Sequence, residues 1–279
     1  LESAGAEVLR YGRSKDFIPV DTENVTRELT EKLAQYVQDG KLDALVSLDG
    51  DADRPLFVDE KGAVHSGDVL GLITADLLKI ASCAYPVSAN DMIDACLQEK
   101  GVKVEKTKIG SPYVVDAINA AGEESTAGWE VNGGFLVGDN VRYKGEDLPA
   151  LKTRDGIIPL LCTLIQIKMN GATASRLFDD LRPVRYGDSG LIDLPDFDSM
   201  QRVLEYFSSS STNLGEHFTP KLGFGEVESI NYTDGTRIRF NNGDVAHVRG
   251  SNNAPQLRVY ATADTKERAR QIVDCCIGD

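Results

Sequence analysis

One short run of the chain gathers the side chains best suited to chemistry. It is the acidic loop, residues 49–54, with the sequence DGDADR. Carboxylates at alternate positions offer the oxygen ligands that a hard divalent cation such as Mg2+ prefers, and Mg2+ usually keeps coordination positions for water or substrate phosphate. Arg54 cannot ligate a metal, but its planar guanidinium suits a phosphate beside one. The candidate metal ligands are therefore Asp49, Asp51 and Asp53.

The residues in front of the acidic loop indicate where it lies in the fold. Residues 42–48 form a short apolar run after Asp39-Gly40, which predicts a buried strand that ends where the acids begin. In open α/β sheets, ligands bind at the carboxyl ends of the strands. We therefore expect the acidic loop to be a ligand site at the end of a strand.

Two other interpretations of the acidic loop stay open from the residues alone. It could be a solvated acidic turn that binds no ligand. It could also be an EF-hand Ca2+ loop, because Asp49, Asp51, Asp53 and Glu60 stand at positions one, three, five and twelve of that pattern. Arg54 stands where the EF-hand needs glycine, and a predicted strand replaces the entering helix, so both features oppose the Ca2+ interpretation.

A second candidate site is the arginine loop, residues 249–255 with the sequence RGSNNAP, together with the arginine at position 258. Guanidinium groups, a hydroxyl, amides and backbone N–H groups can wrap a phosphate dianion with charge-assisted hydrogen bonds. As a bare pattern, the run is equally typical of a polar turn between two strands. The side chains concerned are those of Arg249, Ser251, Asn252, Asn253 and Arg258.

Composition limits the class of protein. A chain of 279 residues is long enough for two or three domains with their own cores. Its net charge of −14 argues against general affinity for nucleic acid or membrane surfaces. No apolar run approaches the roughly 18 residues of a membrane span, and no signal peptide is visible. Five cysteines without a CxxC pair favour reduced thiols, and so a cytoplasmic protein of undetermined oligomeric state.

The predicted helices and strands that position these loops divide the chain into three successive modules. Residues 1–63 form the first, with a strand at 7–9 and a helix from about Glu23 to Gln38. Asp21 or Thr22 is the expected N-cap of that helix. The module resembles most of an α/β unit without its first strand.

The other two modules differ in their pattern of elements. Residues 64–184 alternate helices and strands as a parallel sheet requires, and include a long apolar helix at 157–169. Residues 185–279 contain the turns Asp234-Gly235 and Asn242-Gly243, which predict antiparallel hairpins. The expected fold class is α/β, with two domains of mixed, mainly parallel sheets and a small C-terminal α+β domain with an antiparallel sheet.

The acidic loop resembles the metal loop of the α-D-phosphohexomutases, the phosphomannomutase/phosphoglucomutase family, in its phosphomannomutase-like branch. Two other runs resemble loops of that family in the same order along the chain. The glycine-rich loop, residues 128–135 with the sequence GWEVNGGF, resembles the sugar loop Gly-x-Glu-x-Ser-Gly-His. The arginine loop resembles the family's phosphate loop. Asn132 replaces Ser and Gly134 replaces His, so recognition of sugar hydroxyls is expected to differ from that of the commoner members.

The resemblance implies roles for these residues. The three aspartates would hold Mg2+, and Arg54 would contact the phosphosugar. Glu130 and Asn132 would bind sugar hydroxyls, and the arginine loop with Arg258 would grip the substrate phosphate. The partner is thus a phosphorylated hexose, either mannose or glucose 1- or 6-phosphate or the bisphosphate intermediate.

A third run, residues 107–113, resembles the turn that precedes the sugar loop. Lys108 is the candidate there for electrostatic assistance to catalysis. Ser111 stands where some members carry His, although an N-cap role for Ser111 at the start of a helix is at least as well founded. The run TRDGI at 153–157 resembles the family's helix entry, and we interpret Arg154 and Asp155 as structural.

The activity implied by the resemblance interconverts hexose 6-phosphate and hexose 1-phosphate through a phosphoserine and a hexose bisphosphate. Members of the family carry the serine in a Thr-x-Ser-His-Asn-Pro-like loop of an N-terminal domain, and no such run occurs in these 279 residues. We therefore expect residues 1–63 to be a remnant of the family's second domain and the chain to be inactive alone. A non-catalytic sugar-phosphate-binding protein is the alternative expectation.

Overall fold

A computed structural model of the chain describes residues 1–12, 15, 22, 25–122, 124–183, 185–209, 211–251 and 254–277. The chain separates into two compact units. Unit 1 comprises residues 1–89, 93–106 and 110–182, and unit 2 comprises residues 90–92, 107–109 and 183–279. The first two sequence modules fall in unit 1 except for residues 90–92, 107–109 and 183–184. The boundary between these two modules stays a prediction. Within the described ranges, no helix is long and apolar enough to cross a membrane.

The first 182 residues contain helices and short strands in alternation after an initial 3-10 turn. The helices are α1 (Arg27–Gly40), α2 (Gly67–Leu77), α3 (Asp91–Glu99), α4 (Ser111–Ala120), α5 (Ile157–Asn170) and α6 (Ala174–Asp179). The strands are β1 (Ala44–Leu48), β2 (Pro55–Asp59), β3 (Val64–His65), β4 (Ser82–Pro86), β5 (Lys103–Thr107), β6 (Thr126–Trp129), β7 (Phe135–Val137), β8 (Arg142–Tyr143), β9 (Glu146–Asp147) and β10 (Leu151–Asp155).

The first sheet has the order β1-β2-β3 and is antiparallel throughout. Leu48 pairs with Pro55, so the six residues of the acidic loop connect two antiparallel neighbours. A mainly parallel sheet was expected here, and that expectation is wrong because six residues are too few for a parallel crossover. All five residues of β2 are buried, whereas β1 is only half-buried along its length.

Helix α1 packs Leu33 and Val37 against this sheet. The helix begins later than the sequence predicts, at Arg27, because the hydroxyl of Thr26 accepts a hydrogen bond from the N–H of Leu29 and caps it. Thr22 lies in a bend before the helix, and Asp21 is outside the described residues. The expected strand at residues 7–9 is also wrong, since these residues form no ladder with any described strand.

The second sheet has the order β10-β7-β6-β4-β5 and is mixed. The predicted parallel crossover is confirmed for β4 and β6, which pair in parallel. Strands β6, β7 and β10 then continue in antiparallel pairs. A short turn joins β6 to β7, and the segment with the β8–β9 hairpin joins β7 to β10. Neither connection contains the helix that usually makes a parallel crossover. The fully buried Trp129 stacks between Tyr85 and Phe135 in this core. Gly71 of α2 faces the indole so closely that a Cβ there would lie 2.5 Å from it.

Unit 2 is built on an antiparallel sheet of five strands in the order β11-β15-β14-β13-β12. Strand β11 was not expected, because two glycines interrupt its apolar pattern. The predicted Asp-Gly and Asn-Gly turns are confirmed, with Gly235 and Gly243 at positive φ. The elements are β11 (Tyr186–Asp193), α7 (Phe197–Ser209), α8 (Ser211–His217), β12 (Val227–Asn231), β13 (Thr236–Phe240), β14 (Val245–Gly250), β15 (Gln256–Ala263) and α9 (Lys266–Ile277).

Candidate functional site

The acidic loop is folded around the carboxylate of Asp49, which is buried. Oδ1 of Asp49 accepts hydrogen bonds from the backbone N–H groups of Asp53 and Arg54, both at 3.1 Å. Oδ2 accepts a hydrogen bond from Nε of Arg54 at 2.6 Å. Burial would raise the pKa of Asp49, but the hydrogen bonds and charge of Arg54 hold it below the ordinary value. Asp49 is therefore charged at neutral pH.

The three aspartates fit a divalent cation. Each can present one carboxylate oxygen, and these oxygens lie within 4.8 Å of one another. Asp49 is buried, Asp53 is half-buried and Asp51 is exposed, so a cation among them would keep a side open to substrate. Oδ1 of Asp53 is buried and accepts no hydrogen bond from any residue that the structure describes, with Nε of Arg54 at 3.4 Å. An oxygen in that state suits the donor set of Mg2+.

The EF-hand interpretation fails on the position of Glu60. Strand β2, which advances about 3.3 Å per residue, carries Glu60 away from the acidic loop. The Glu60 carboxylate instead accepts hydrogen bonds from the hydroxyl of Ser175 and from its N–H, the latter at 2.8 Å. The acidic loop is thus flanked by two strands and lacks the twelfth-position ligand that an EF-hand requires.

The glycine-rich loop connects β6 to β7 by a tight turn. The N–H of Glu130 donates to the carbonyl of Gly134 at 3.2 Å, and the N–H of Gly133 donates to the carbonyl of Glu130 at 2.9 Å. Oδ1 of Asn132 accepts a hydrogen bond from the N–H of Gly134 at 3.0 Å, so this side chain shapes the turn. Glu130 and Asn132 are both buried.

Arg154 joins the acidic loop to the glycine-rich loop. Its Nη1 donates to Oε2 of Glu130 at 2.9 Å, and its Nη2 forms an ion pair with Oδ2 of Asp53. Burial would lower the pKa of Arg154, but the hydrogen bond and charge of Glu130, together with Asp53, raise it above the ordinary value. One guanidinium therefore fixes the candidate sugar ligand against the candidate metal ligand. Sequence alone assigns Arg154 to structure and does not reveal its position between the two loops.

Gly134 is the residue that admits Arg154. A Cβ added at Gly134 would lie 2.7 Å from Cδ of Arg154 and 2.9 Å from Cγ, closer than real Cβ contacts. The arginine stem thus lies against position 134, where the family's sugar loop carries His. Glycine in place of the family's His at position 134 was the sequence signal for this contact, because a packed turn without a side chain there leaves space for another group.

Asp155 and Ser111 both lie at the start of a helix. Gly156 is the N-cap of α5, and Oδ1 of Asp155 just before it accepts a hydrogen bond from the N–H of Ile157 at 2.6 Å, which fits a structural role. Ser111 is not the N-cap of α4. Gly110 holds that position with φ at 130°, a conformation open to glycine and strained for serine, and Ser111 is the first helical residue.

The arginine loop lies in unit 2 at the end of β14. Arg249 is buried, and its Nε donates to Oδ1 of Asp234 at 3.2 Å. Arg258, which is exposed, stands directly opposite Arg249 on β15. Ser251 is buried, and its N–H donates to the carbonyl of Gln256 at 2.8 Å. Asn252 and Asn253 lie outside the described residues.

Lys108 lies in the segment 107–109, which clusters with unit 2. Its side chain is exposed. The hydroxyl of Thr107 donates to the carbonyl of Lys108 at 2.8 Å, which fixes the backbone at that position. Its catalytic role stays a prediction.

Comparison with known families decides the relationship. The family model "Phosphoglucomutase/phosphomannomutase, alpha/beta/alpha domain III" matches residues 66–184, and "Phosphoglucomutase/phosphomannomutase, C-terminal domain" matches residues 195–276. The chain belongs to the phosphoglucomutase/phosphomannomutase family. The resemblance to phosphohexomutases inferred from the three loops is therefore confirmed.

Two relatives of the family are similar to nearly the whole chain. The phosphomannomutase of Sinorhizobium fredii (strain NBRC 101917 / NGR234) is 37% identical over 98% of this chain and 57% of its own length. The phosphomannomutase of Salmonella muenchen is 38% identical over 99% of this chain and 56% of its own length. The chain thus spans a little more than half the length of these relatives.

A solved structure agrees with the fold. The phosphoglucomutase/phosphomannomutase family protein from Burkholderia thailandensis superposes with a TM-score of 0.69 at 18% sequence identity, over 91% of this chain and 50% of its own. The expected mixed α/β class with an antiparallel C-terminal sheet is confirmed by this likeness and by the mixed and antiparallel five-stranded sheets. The exception is the first sheet, which is antiparallel and not mainly parallel.

Proposed function

We propose that the chain is the cation- and phosphosugar-binding part of a phosphohexomutase that interconverts mannose or glucose 6-phosphate and the corresponding 1-phosphate. The observation that supports this most directly is the bridge through Arg154, which links a carboxylate of the acidic loop to the glutamate of the glycine-rich loop. A metal loop and a sugar loop held against each other are what transfer of a sugar phosphoryl group requires.

The residues of unit 1 would bind the cation and the sugar. Asp49, Asp51 and Asp53 would hold Mg2+, which supplies positive charge that offsets the charge of a transferring phosphoryl group. Arg54, whose Nε is fixed by Asp49, adds a permanent cation beside them. Glu130, held by Arg154, accepts hydrogen bonds from sugar hydroxyls.

The residues of unit 2 would bind phosphate. Arg249 and Arg258 stand opposite each other on neighbouring strands. Asp234 offsets part of the repulsion between these like charges. A bound phosphate dianion would offset the rest. The backbone of the arginine loop and the side chains of Ser251, Asn252 and Asn253 add hydrogen-bond donors. Lys108 raises the local positive potential near this loop.

The proposed reaction passes a phosphoryl group from a phosphoserine to the hexose phosphate. The bisphosphate then reorients, and its other phosphate returns to the serine. No run of these 279 residues matches the family's phosphoserine loop. We therefore propose that this stretch binds and orients the hexose phosphate but cannot turn it over unaided.

The test compares the 279-residue chain with the full gene product. Both are incubated with mannose 1-phosphate, a hexose bisphosphate and Mg2+, and mannose 6-phosphate is measured. We expect turnover only in the full product, together with a serine phosphate visible in its intact mass. Robust conversion by the 279 residues would show that the nucleophile lies among them, contrary to the proposal. Binding without turnover in the full product would favour the non-catalytic sugar-phosphate-binding protein.

A further inference from the structure

Asp234 makes three polar contacts within unit 2 from the turn between β12 and β13. Its Oδ1 accepts the hydrogen bond from Nε of Arg249 at 3.2 Å. Its Oδ2 accepts a hydrogen bond from the N–H of Ile109 at 2.9 Å. Its carbonyl accepts a hydrogen bond from Nε2 of His247. One carboxylate therefore holds both a buried arginine of the arginine loop and the segment that carries Lys108.

The turn itself is packed against the arginine. Gly235 has φ at 75°, and a Cβ added there would lie 2.7 Å from Cβ of Arg249. Only glycine fits this position without strain, so the Asp-Gly sequence keeps the Asp234 carboxylate beside β14. His247 adds a fixed donor to the same turn. Burial lowers the pKa of His247 to about 4, so at neutral pH it is uncharged and contributes a hydrogen bond without a competing charge.

Arg249 needs the carboxylate because its side chain is only 8% exposed. A buried guanidinium without a counter-charge is strongly unfavourable. Asp234 contacts Nε, which lies at the opposite end of the group from the edge formed by Nη1 and Nη2. That edge is the pair of donors suited to bidentate phosphate binding. The ion pair with Asp234 thus fixes the direction in which the guanidinium presents its phosphate-binding edge.

The second oxygen of Asp234 fixes the peptide after Lys108. The carbonyl of Lys108 accepts the hydroxyl hydrogen bond of Thr107, and the N–H of Ile109 donates to Asp234. Both polar groups of the peptide that joins Lys108 to Ile109 therefore have a partner. The backbone that carries the exposed lysine is held relative to the turn that holds Arg249.

We propose that Asp234 is a positioning residue for phosphate recognition, which aligns Arg249 and fixes the segment of Lys108 in one arrangement. The proposal rests on the proposed function, because it takes Arg249 as a ligand of the substrate phosphate. The ligand class is a phosphate monoester of a hexose, and Asp234 acts on it only through the two cationic residues.

The experiment measures the Kd of the 279-residue chain for mannose 1-phosphate by titration calorimetry. Asp234→Asn keeps the shape of the side chain and removes its charge, and we expect about tenfold weaker binding. Arg249→Gln is expected to weaken binding as well. The double variant should bind only slightly more weakly than Arg249→Gln alone, because Asp234 acts through Arg249. In an NMR spectrum, the Nε–Hε resonance of Arg249 should lie at a different position in Asp234→Asn than in the wild type, which a general loss of stability would not cause.

The matched control is Asp244→Asn. Asp244 is another aspartate in a hairpin turn of unit 2 that pairs with an arginine, and it contacts Arg268, with Nη2 at 2.7 Å, outside the arginine loop. We expect this variant to bind mannose 1-phosphate like the wild type. Should Asp234→Asn fail to fold, Asp234→Glu keeps the charge and displaces the carboxylate, and weakened binding by the folded variant supports the same conclusion.

The outcomes separate the two proposals. A wild type that binds and an Asp234→Asn variant with unchanged Kd would overturn the role of Asp234 and leave the proposed function standing. Equal losses in Asp234→Asn and Asp244→Asn would also overturn it, because the effect would then be general to buried ion pairs. A wild type that binds no mannose 1-phosphate would overturn both.

Discussion

At the residue scale, the site in unit 1 depends on one guanidinium between two carboxylates. Arg154 is about 30% exposed and contacts Glu130 and Asp53, whose side chains are 8% and 17% exposed. Pairs in this partly buried setting are screened less than surface pairs. Removal of the arginine would leave two neighbouring carboxylates without a shared counter-charge.

Arg154→Met tests this bridge. We expect the free energy of unfolding to fall by about 1–3 kcal/mol, less than for a fully buried pair because the arginine is partly exposed. Chemical denaturation measures the change. The control is Arg176→Met, which removes the exposed pair with Asp180 and should cost less than about 0.5 kcal/mol. Equal effects of the two substitutions would contradict the role of Arg154 as a bridge.

Glu60 gives a prediction of how the free energy of unfolding depends on pH. Burial would raise the pKa of Glu60, but the hydroxyl and N–H of Ser175 lower it to about 2, from 4.5. A lowered pKa stabilises the fold above about pH 4.5, and this contribution is lost as the pH falls toward 2. Ser175→Ala should therefore lower the free energy of unfolding by about 1–2 kcal/mol at pH 7. The difference from the wild type should shrink between pH 5 and pH 3 in urea titrations, and a difference independent of pH would contradict this account.

At the element scale, hairpins and neighbouring strands bring the candidate residues together. Strand β10 pairs antiparallel with β7, with Asp155 opposite Phe135, and this register sets Arg154 beside Gly134. The sequence predicts the type and the spacing of the acids, because these lie within one loop. It does not predict the contact with Arg154, because β10 is a short charged strand without an apolar pattern. Asp53, which Arg154 contacts, is also distant along the chain.

Gly134→Ala tests the contact between these elements. The added methyl would overlap the stem of Arg154, and we expect the free energy of unfolding to fall by about 1–3 kcal/mol. The cost should shrink in an Arg154→Ala background, because the stem is then gone and the two changes are coupled. Gly187→Ala is the control, since a Cβ there meets only the carbonyl of Ala261 at 3.7 Å. Strict additivity of Gly134→Ala and Arg154→Ala would contradict the packing described.

At the scale of the whole molecule, the distribution of charge is more important than the net charge for binding an anionic ligand. The chain carries −14, yet its proposed ligand is an anion. Attraction must therefore be local, and on the proposed function the opposed Arg249 and Arg258 on β14 and β15 would provide it. The sequence predicts the antiparallel sheet of unit 2 from its two glycine turns. It does not predict Asp234 as the partner of Arg249, since that contact depends on how the turn packs on β14.

Binding of a phosphorylated hexose through the loops described is the step on which the proposed function depends. It is tested most directly by titration calorimetry of mannose 1-phosphate, in the presence of Mg2+, into the wild-type chain and into Arg249→Ala. We expect the wild type to bind and the variant to lose about 1.5–3 kcal/mol of binding free energy, the scale of hydrogen bonds to charged groups. Equal affinity of the two proteins, or no binding by either, would contradict the account.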